Sequence, residues 1–128
     1  MVRTMIEATV FPPVVGCYVV YEDESAERPA YVGVASERGL DQRWNRDHLP
    51  ARSGSSALRR SLGVHLGLTQ EKLRRPARYY APDVEAKITQ ALRRGYVEVY
   101  PCRSRAAALM LESQLIARLG PILNVRRS

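Results

Sequence analysis

Cysteine and long apolar runs are both scarce in this sequence of 128 residues. Its two cysteines, Cys17 and Cys102, stand in apolar, strand-like surroundings without the paired spacing of a zinc site, so we expect reduced, buried thiols. No segment approaches the roughly 20 apolar residues that span a bilayer, and residues 1–13 break their apolar pattern with charge and proline, unlike a signal sequence. These absences predict a cytoplasmic protein with no membrane partner, folded as one domain over residues 1–128 with a modest core.

Lysine is also scarce, because only Lys72 and Lys87 stand among the 20 basic residues. The net charge of +7 is therefore carried almost entirely by guanidinium groups, which can grip a phosphate with two hydrogen bonds. The excess of positive charge is concentrated in residues 43–78, which contain nine basic residues and only two acidic ones, Asp47 and Glu71. Such a field favours a polyanionic partner, although arginine in place of lysine can also follow from genome composition, and basic solvated faces are common.

The hydrophobic pattern predicts a small mixed fold. Three segments rich in β-branched and aromatic residues are predicted strands, the first two forming a hairpin: 14–21, 30–35 and 96–102. Four segments with helical spacing are predicted helices: 40–48, 57–62, 84–94 and 105–119. Gly63 is the predicted end of the helix at 57–62. The serine-rich break at 53–56, Asp83 and Ser104 supply predicted N-caps. This order indicates an α/β fold of the α+β type, with a three-stranded, mainly antiparallel sheet flanked by helices.

Three short stretches, far apart in the chain, form a pattern of possible catalytic residues. They are Gly16-Cys17-Tyr18, then Tyr31-Val32-Gly33 followed by Arg43-Trp44, and finally Glu112 with Asn124. Two tyrosine-glycine strands precede an arginine on a helix, and a later helix brings a lone glutamate with an asparagine twelve positions further on, after a proline. In order and spacing the pattern resembles the GIY-YIG nuclease family, whose known sheet-and-helix sandwich agrees with the predicted elements.

The resemblance implies a role for each matched residue. Strand alternation should turn Tyr18 toward the open side, where it is the implied general base, with Tyr31 positioning water. Arg43 is the implied contact to the scissile phosphate, and with the metal it should favour the phenolate form of Tyr18. Glu112 is the implied ligand of Mg²⁺ or Mn²⁺. Asn124 is the implied support of the site wall through hydrogen bonds.

Two positions depart from the family pattern. Many members carry a histidine one helical turn after the arginine, but Asp47 stands there and His48 follows one residue later. His48 is therefore either a proton-transfer group or a half-exposed histidine at a helix end. Val34 follows Gly33 where DNA-repair relatives often have lysine, which argues against close kinship with that branch.

The basic middle of the chain is the predicted DNA grip. Its candidate contacts are Arg46, Arg52, Ser55, Ser56, Arg59, Arg60, Arg74 and Arg75. Phosphate contacts alone carry no sequence information, and no zinc finger or separate recognition domain accompanies them, so limited base specificity is expected. The sequence thus predicts a metal-dependent endonuclease that hydrolyses double-stranded or branched DNA.

Two other hypotheses stay open. A catalytically inactive DNA-binding module of the same fold would show salt-sensitive DNA affinity without metal-dependent cleavage. An RNA-binding protein would expose aromatic platforms beside basic residues, and Tyr79-Tyr80 next to Arg78 is the place that hints at this. Each catalytic candidate also has a plain structural alternative, since hairpin tyrosines commonly pack, arginines are commonly solvated, and Glu112 has neighbouring arginines with which to pair.

Overall fold

A twisted antiparallel sheet organises the computed structural model, which describes residues 2–51, 56–70 and 79–124. Within these residues the sheet has four strands in the order β1-β4-β2-β3: β1 (Thr4–Met5), β2 (Gly16–Tyr21), β3 (Tyr31–Ala35) and β4 (Tyr96–Pro101). The predicted α+β class is confirmed, but the prediction of three strands is wrong. The added strand, β1, has two residues, too few to show an alternating pattern in the sequence.

The β2–β3 hairpin sets the two faces of the sheet. Tyr18 lies opposite Gly33, and Cys17 lies opposite Val34. Because side chains alternate along a strand, Tyr18 packs with one buried cluster and Cys17 with another on the opposite face, as predicted. We call these the Tyr18 face and the Cys17 face.

Apart from a 3₁₀ turn at Ile6–Ala8, the described helices lie between β3 and β4 and after β4 in the chain, and they cover both faces of the sheet. They are α1 (Gly39–Gln42), which runs directly into a π-helical turn (Arg43–His48), then α2 (Ala57–His65), α3 (Pro82–Arg94) and α4 (Arg105–Leu119). Side chains of α2 and α3 join the cluster of the Tyr18 face, and those of α4 join the cluster of the Cys17 face. In the described ranges, no helix combines the length and the apolar character needed to cross a membrane.

The helix ends test the predicted caps. Ser104 caps α4 as predicted, accepting from the backbone N–H of Ala107 at 3.1 Å, and the predicted bounds of α4 are confirmed. Asp83 is not the cap of α3, which begins at Pro82, two residues before the predicted start, since proline is preorganised for the first helical position. Gly63 does not end α2, which continues to His65. The absence of a Cβ at Gly63 instead leaves room for the ring of Tyr80.

Candidate active site

Tyr18 lies at the centre of the site, on the inner strand β2. A Cβ added to Gly33 would stand 2.5 Å from the Tyr18 hydroxyl oxygen. The missing side chain of Gly33 therefore leaves room for the Tyr18 side chain. The Tyr18 side chain is 0% exposed. The prediction that its hydroxyl faces the open side is therefore wrong, because Trp44 and His48 of the π-helical turn pack edge-on against the ring.

Tyr31 is the more accessible of the two phenols. It is half-buried, and its ring centroid lies 6.4 Å from that of Tyr18 and 6.3 Å from that of His48. On the far side of the group, Trp44 stacks on Phe11 at 4.9 Å. The two motif tyrosines therefore share one aromatic cluster, with Tyr31 at its margin.

The π-helical turn explains how His48 enters this cluster. Its hydrogen bonds close over five residues rather than four, as in the bond from the Leu49 N–H to the Trp44 carbonyl at 3.0 Å. In this wider turn both Asp47 and His48 lie one turn beyond Arg43. Asp47 accepts from the Arg43 guanidinium at 3.0 Å. The next residue, His48, is left to point inward, where it is fully buried rather than half-exposed at a helix end.

The His48 ring is hydrogen-bonded at both nitrogens. Nε2 lies 2.5 Å from the Tyr18 hydroxyl, and Nδ1 lies 2.7 Å from the Ser56 hydroxyl. Burial lowers the pKa of His48 well below its usual 6.5, and the charges of Arg43 and Arg59 lower it further. The imidazole is therefore neutral at neutral pH, with one nitrogen donating and the other accepting.

Burial also decides the ionisation of Tyr18. It raises the pKa of the Tyr18 phenol above its ordinary value of 10, and Tyr31 raises it further. The nearby Arg43 acts in the opposite direction but is the smaller influence. The expectation that Arg43 would favour phenolate is therefore outweighed by burial, and the protein rests with a protonated Tyr18.

Two of the predicted DNA contacts are core residues. Ser56 is fully buried as the N-cap of α2, where its hydroxyl accepts from the Arg59 backbone N–H at 3.1 Å. Arg59 is 2% exposed and forms an ion pair with Glu85 at 2.8 Å. Both predictions are wrong, because these polar groups are satisfied inside the fold and cannot reach a phosphate.

Arg59 instead joins three elements. Its guanidinium donates to the backbone carbonyls of His48 at 3.0 Å and Leu49 at 3.2 Å, at the end of the π-helical turn. It also donates to the Thr89 hydroxyl at 2.8 Å and to the carboxylate and carbonyl of Glu85 on α3. The buried charge is thus paired and hydrogen-bonded, and it fixes the backbone that carries His48.

The other predicted DNA contacts differ in position. Arg46 is exposed on the π-helical turn, and Arg60 is half-buried on α2. Four of the predicted contacts lie outside the described residues: Arg52, Ser55, Arg74 and Arg75. Arg46 and Arg60 therefore keep their place as candidate DNA contacts.

Glu112 approaches the hairpin from the Cys17 face. It is half-buried on α4, whose Leu111 and Leu115 pack in the cluster around Cys17. Burial and then the Glu112 charge raise the pKa of Cys17 to about 12, which places the carboxylate near the residue that precedes Tyr18. Helix α4 and the Tyr18 ring therefore reach the same stretch of β2 from opposite faces, and the convergence of Glu112 with the phenols stays a prediction.

The donor set around Glu112 can be compared with the needs of a divalent cation. No group of three or more histidine, cysteine or acidic side chains suited to a metal occurs in the described parts of the chain. Mg²⁺ commonly takes one or two carboxylates and keeps several waters, whereas a structural zinc site needs four protein ligands. A single carboxylate therefore fits a hydrated Mg²⁺ or Mn²⁺.

Asn124 supports the outer strand of the hairpin. Its side-chain oxygen accepts from the Val32 N–H at 2.8 Å, and its amide nitrogen donates to the Val32 carbonyl at 2.7 Å. In the part of the chain that the structure describes, β3 is an edge strand, so these backbone groups have no neighbouring strand on that side. The amide of Asn124 therefore satisfies the edge of β3 next to Tyr31.

Comparisons with known proteins place this architecture in a family. A family model described as the GIY-YIG catalytic domain matches residues 17–128. Two solved structures of the GIY-YIG N-terminal endonuclease domain of UvrC from Thermotoga maritima are similar to the chain, at 20% and 19% identity and a TM-score of 0.47. They are tyrosine-to-phenylalanine variants bound to a catalytic divalent cation, and each match covers 91% of this chain and 89% of the other.

The search of curated proteins found no match. The family match begins at Cys17 and takes in both strands of the hairpin and every later element, which is why we conclude that the chain belongs to the GIY-YIG nuclease family.

Proposed function

We propose that the protein is a divalent-metal-dependent endonuclease that hydrolyses phosphodiester bonds in double-stranded or branched DNA. The observation that supports this most is the cluster on the Tyr18 face, where Arg43 lies against a buried hydrogen bond between Tyr18 and His48. A fixed cation beside a potential proton acceptor is what hydrolysis of a phosphodiester requires.

Arg43 is the proposed contact to the scissile phosphate. Its side chain is 25% exposed, and it lines a cleft of about 290 Å³ together with Ser36, Arg38 and Asp47. A phosphate offers a guanidinium two acceptor oxygens, so it can replace the Asp47 carboxylate as the partner of Arg43. Substrate binding would therefore exchange an internal ion pair for one with DNA.

Tyr18 and His48 form the proposed proton path. A protonated, buried phenol is not a resting base, so Tyr18 would take a proton from the attacking water only as its own proton passes to Nε2 of His48. Because Tyr18 is fully buried here, water must first gain access to its hydroxyl, and we propose that this happens when Arg43 exchanges Asp47 for the phosphate. Tyr31, at the margin of the cluster, would position that water.

Glu112 is the proposed ligand of Mg²⁺ or Mn²⁺. When bound, such a cation stabilises the negative charge that develops on the phosphate. Glu112 would hold it from the middle of α4, while Asn124 keeps the edge of β3 fixed through Val32. This role requires Glu112 and Arg43 to reach the same phosphate, although α4 packs on the Cys17 face and Arg43 lies beside Tyr18 on the other face.

Sequence specificity should be low. The predicted contacts that reach the described surface, Arg46 and Arg60, carry charge suited to the DNA backbone, and backbone contacts do not read bases. Plasmids of different sequence should therefore be nicked at many positions. Cutting confined to one short sequence would contradict this part of the proposal.

A plasmid-nicking assay with Mg²⁺ or Mn²⁺ tests the catalytic roles. Arg43→Ala and Glu112→Ala should each slow cleavage by about 10²–10³-fold, the loss typical of one key electrostatic contact. Ser113→Ala, a change at the exposed neighbour of Glu112, is the matched control and should cut like the parent. Glu112→Ala cutting as fast as the parent at equal metal concentration would refute the metal role.

The same assay separates the alternatives. Duplex, flap and branched DNA should be compared, because the geometry of the site does not select among them. A parent protein that binds DNA with salt-sensitive affinity yet never cleaves it would be an inactive binding module. The RNA-binding hypothesis is weakened, because Tyr80 packs against the core and its hydroxyl donates to the Arg60 carbonyl, which leaves Tyr79 as the exposed ring of that pair.

A further inference from the structure

Ser56 makes one hydrogen bond more than an N-cap needs. The hydroxyl of an N-cap serine normally accepts a backbone N–H of the first helical turn, and Ser56 does so from Arg59 at 3.1 Å. The same oxygen lies 2.7 Å from Nδ1 of His48, with both side chains fully buried. The start of α2 is thus joined directly to the proton path of the proposed nuclease.

The direction of the bond between Tyr18 and His48 follows from the neighbouring donors. The Arg43 guanidinium interacts with the Tyr18 oxygen, and a guanidinium can only donate. If Nε2 of His48 also donated to that oxygen, the phenolic proton would be left facing donors in a buried site, which is costly. This cost favours the Tyr18 hydroxyl as the donor and Nε2 as the acceptor.

A neutral imidazole that accepts at Nε2 must carry its proton at Nδ1. We propose that Ser56 is a positioning residue whose hydroxyl accepts the Nδ1–H of His48 and so holds the ring in the tautomer that can receive the Tyr18 proton. The serine oxygen has two lone pairs, enough to accept from both His48 and the Arg59 backbone, and its own proton must then find an acceptor outside these two bonds.

The surroundings of Ser56 make this arrangement rigid. The side chain of Arg59 donates to the His48 carbonyl, and the backbone of Arg59 donates to Ser56. Arg59 is itself held by the carboxylate of Glu85 on α3. The His48 backbone and the Ser56 hydroxyl are therefore both held by the buried Arg59, so the Nδ1 contact does not depend on a mobile side chain.

In the opposite tautomer the proposed path is closed. Nε2 would then carry a hydrogen toward Tyr18, and the phenol would have no acceptor for its own proton while taking one from water. The role of Ser56 in cleavage thus rests on the proposed function, but the tautomer itself does not. A measurement of the ring that needs neither DNA nor metal can separate the two.

Nitrogen-15 NMR of the histidine rings reports the tautomer directly. The chain has two histidines, and the second, His65, is exposed and pairs with Glu22 at 2.6 Å, so a His65→Gln variant assigns the His48 signals. At neutral pH we expect the parent to show the proton on Nδ1 of His48. A proton on Nε2 would overturn the proposal.

Substitutions at two N-caps provide the matched test. Ser56→Gly keeps a residue tolerated at N-caps but removes the hydroxyl, and it should give a mixed or reversed His48 tautomer. Ser104→Gly makes the same change at the N-cap of α4 and should leave the His48 signals unaltered. Ser56→Thr restores a hydroxyl and should restore the parent tautomer.

Cleavage by the same variants shows what the tautomer does. In single-turnover reactions Ser56→Gly should be slower than the parent by about 10²-fold, within the range of general acid–base contributions, and Ser56→Thr should recover much of that rate. An unchanged tautomer or an unchanged rate in folded Ser56→Gly would overturn the proposal. If the parent cuts no DNA but shows the expected tautomer with its loss in Ser56→Gly, the proposed function fails and the positioning of His48 stands.

Discussion

The buried ion pair of Arg59 and Glu85 leads to a sharp prediction of stability. The two side chains are 2% and 7% exposed and meet at 2.8 Å, so water screens them little. Replacing Arg59 with methionine would leave the Glu85 carboxylate buried without its cation. It would also remove the side-chain donor to the His48 carbonyl, while the Leu49 carbonyl would keep its bond from the Thr89 hydroxyl. Removal of one partner from such a pair costs about 3–5 kcal/mol.

That loss is large for a protein of this length. Stabilities of about 5–15 kcal/mol are typical of folded domains. With an unfolding entropy of about 2.1 cal/mol/K per residue, 128 residues give roughly 0.27 kcal/mol/K, so the loss corresponds to a fall of about 10–20 °C in Tm. We therefore expect Arg59→Met to be the most damaging single substitution of an arginine among the described residues.

Urea unfolding measures this directly, since the one tryptophan of the chain, Trp44, is fully buried and its fluorescence reports the transition. Arg59→Met and Glu85→Leu should each be strongly destabilised. The double variant should lose less free energy of unfolding than the two single variants lose together, because no unpaired charge remains. Arg93→Met, at an exposed arginine of α3, is the control and should change stability by less than about 0.5 kcal/mol.

Two results would refute this reasoning. A loss below about 1 kcal/mol in Arg59→Met would mean that the pair behaves like an exposed one. A double variant whose loss equals the sum of the single losses would mean that the two groups are not coupled.

Three further predictions follow from the buried groups. Because burial lowers the pKa of His48 below 6.5, the unfolded chain binds a proton that the folded chain does not, so the urea midpoint should fall as the pH drops below about 6.5; a folded His48→Gln variant with an equally steep fall would contradict this. Gly33→Ala should cost about 1–3 kcal/mol in urea unfolding through its clash with Tyr18, and an unchanged midpoint would argue against that contact. Cys17, with its pKa raised to about 12, should resist alkylation while Cys102 reacts, as peptide mapping would show; equal rates would rule this out.

Local signals were enough to predict the elements that carry the motifs. Alternation of side chains gave the hairpin and the separation of Tyr18 from Cys17, and a serine cap with a terminal glycine gave the bounds of α4. The strand β1 was missed because two residues show no pattern of their own, and its place depends on pairing with the distant β4.

The site was harder to predict, because its side chains are set by contacts between distant segments. A sequence cannot show whether an arginine is solvated. Arg59 can be buried because the carboxylate of Glu85, 26 residues away, forms an ion pair with it. Ser56 was identified as part of an N-cap break, but its second bond depends on where His48 points. The burial of Tyr18 likewise depends on the packing of Trp44, whose helical spacing alone did not reveal its direction.

The widened turn after Arg43 separates the position of a residue in space from its position in the chain. A search that counts four residues from the arginine would select Asp47 and score this protein as lacking its histidine. The π-helical turn adds one residue per turn, so His48, five residues after Arg43, still contacts Tyr18. A histidine five residues after the arginine can therefore reach the hairpin tyrosine when the intervening turn is π-helical.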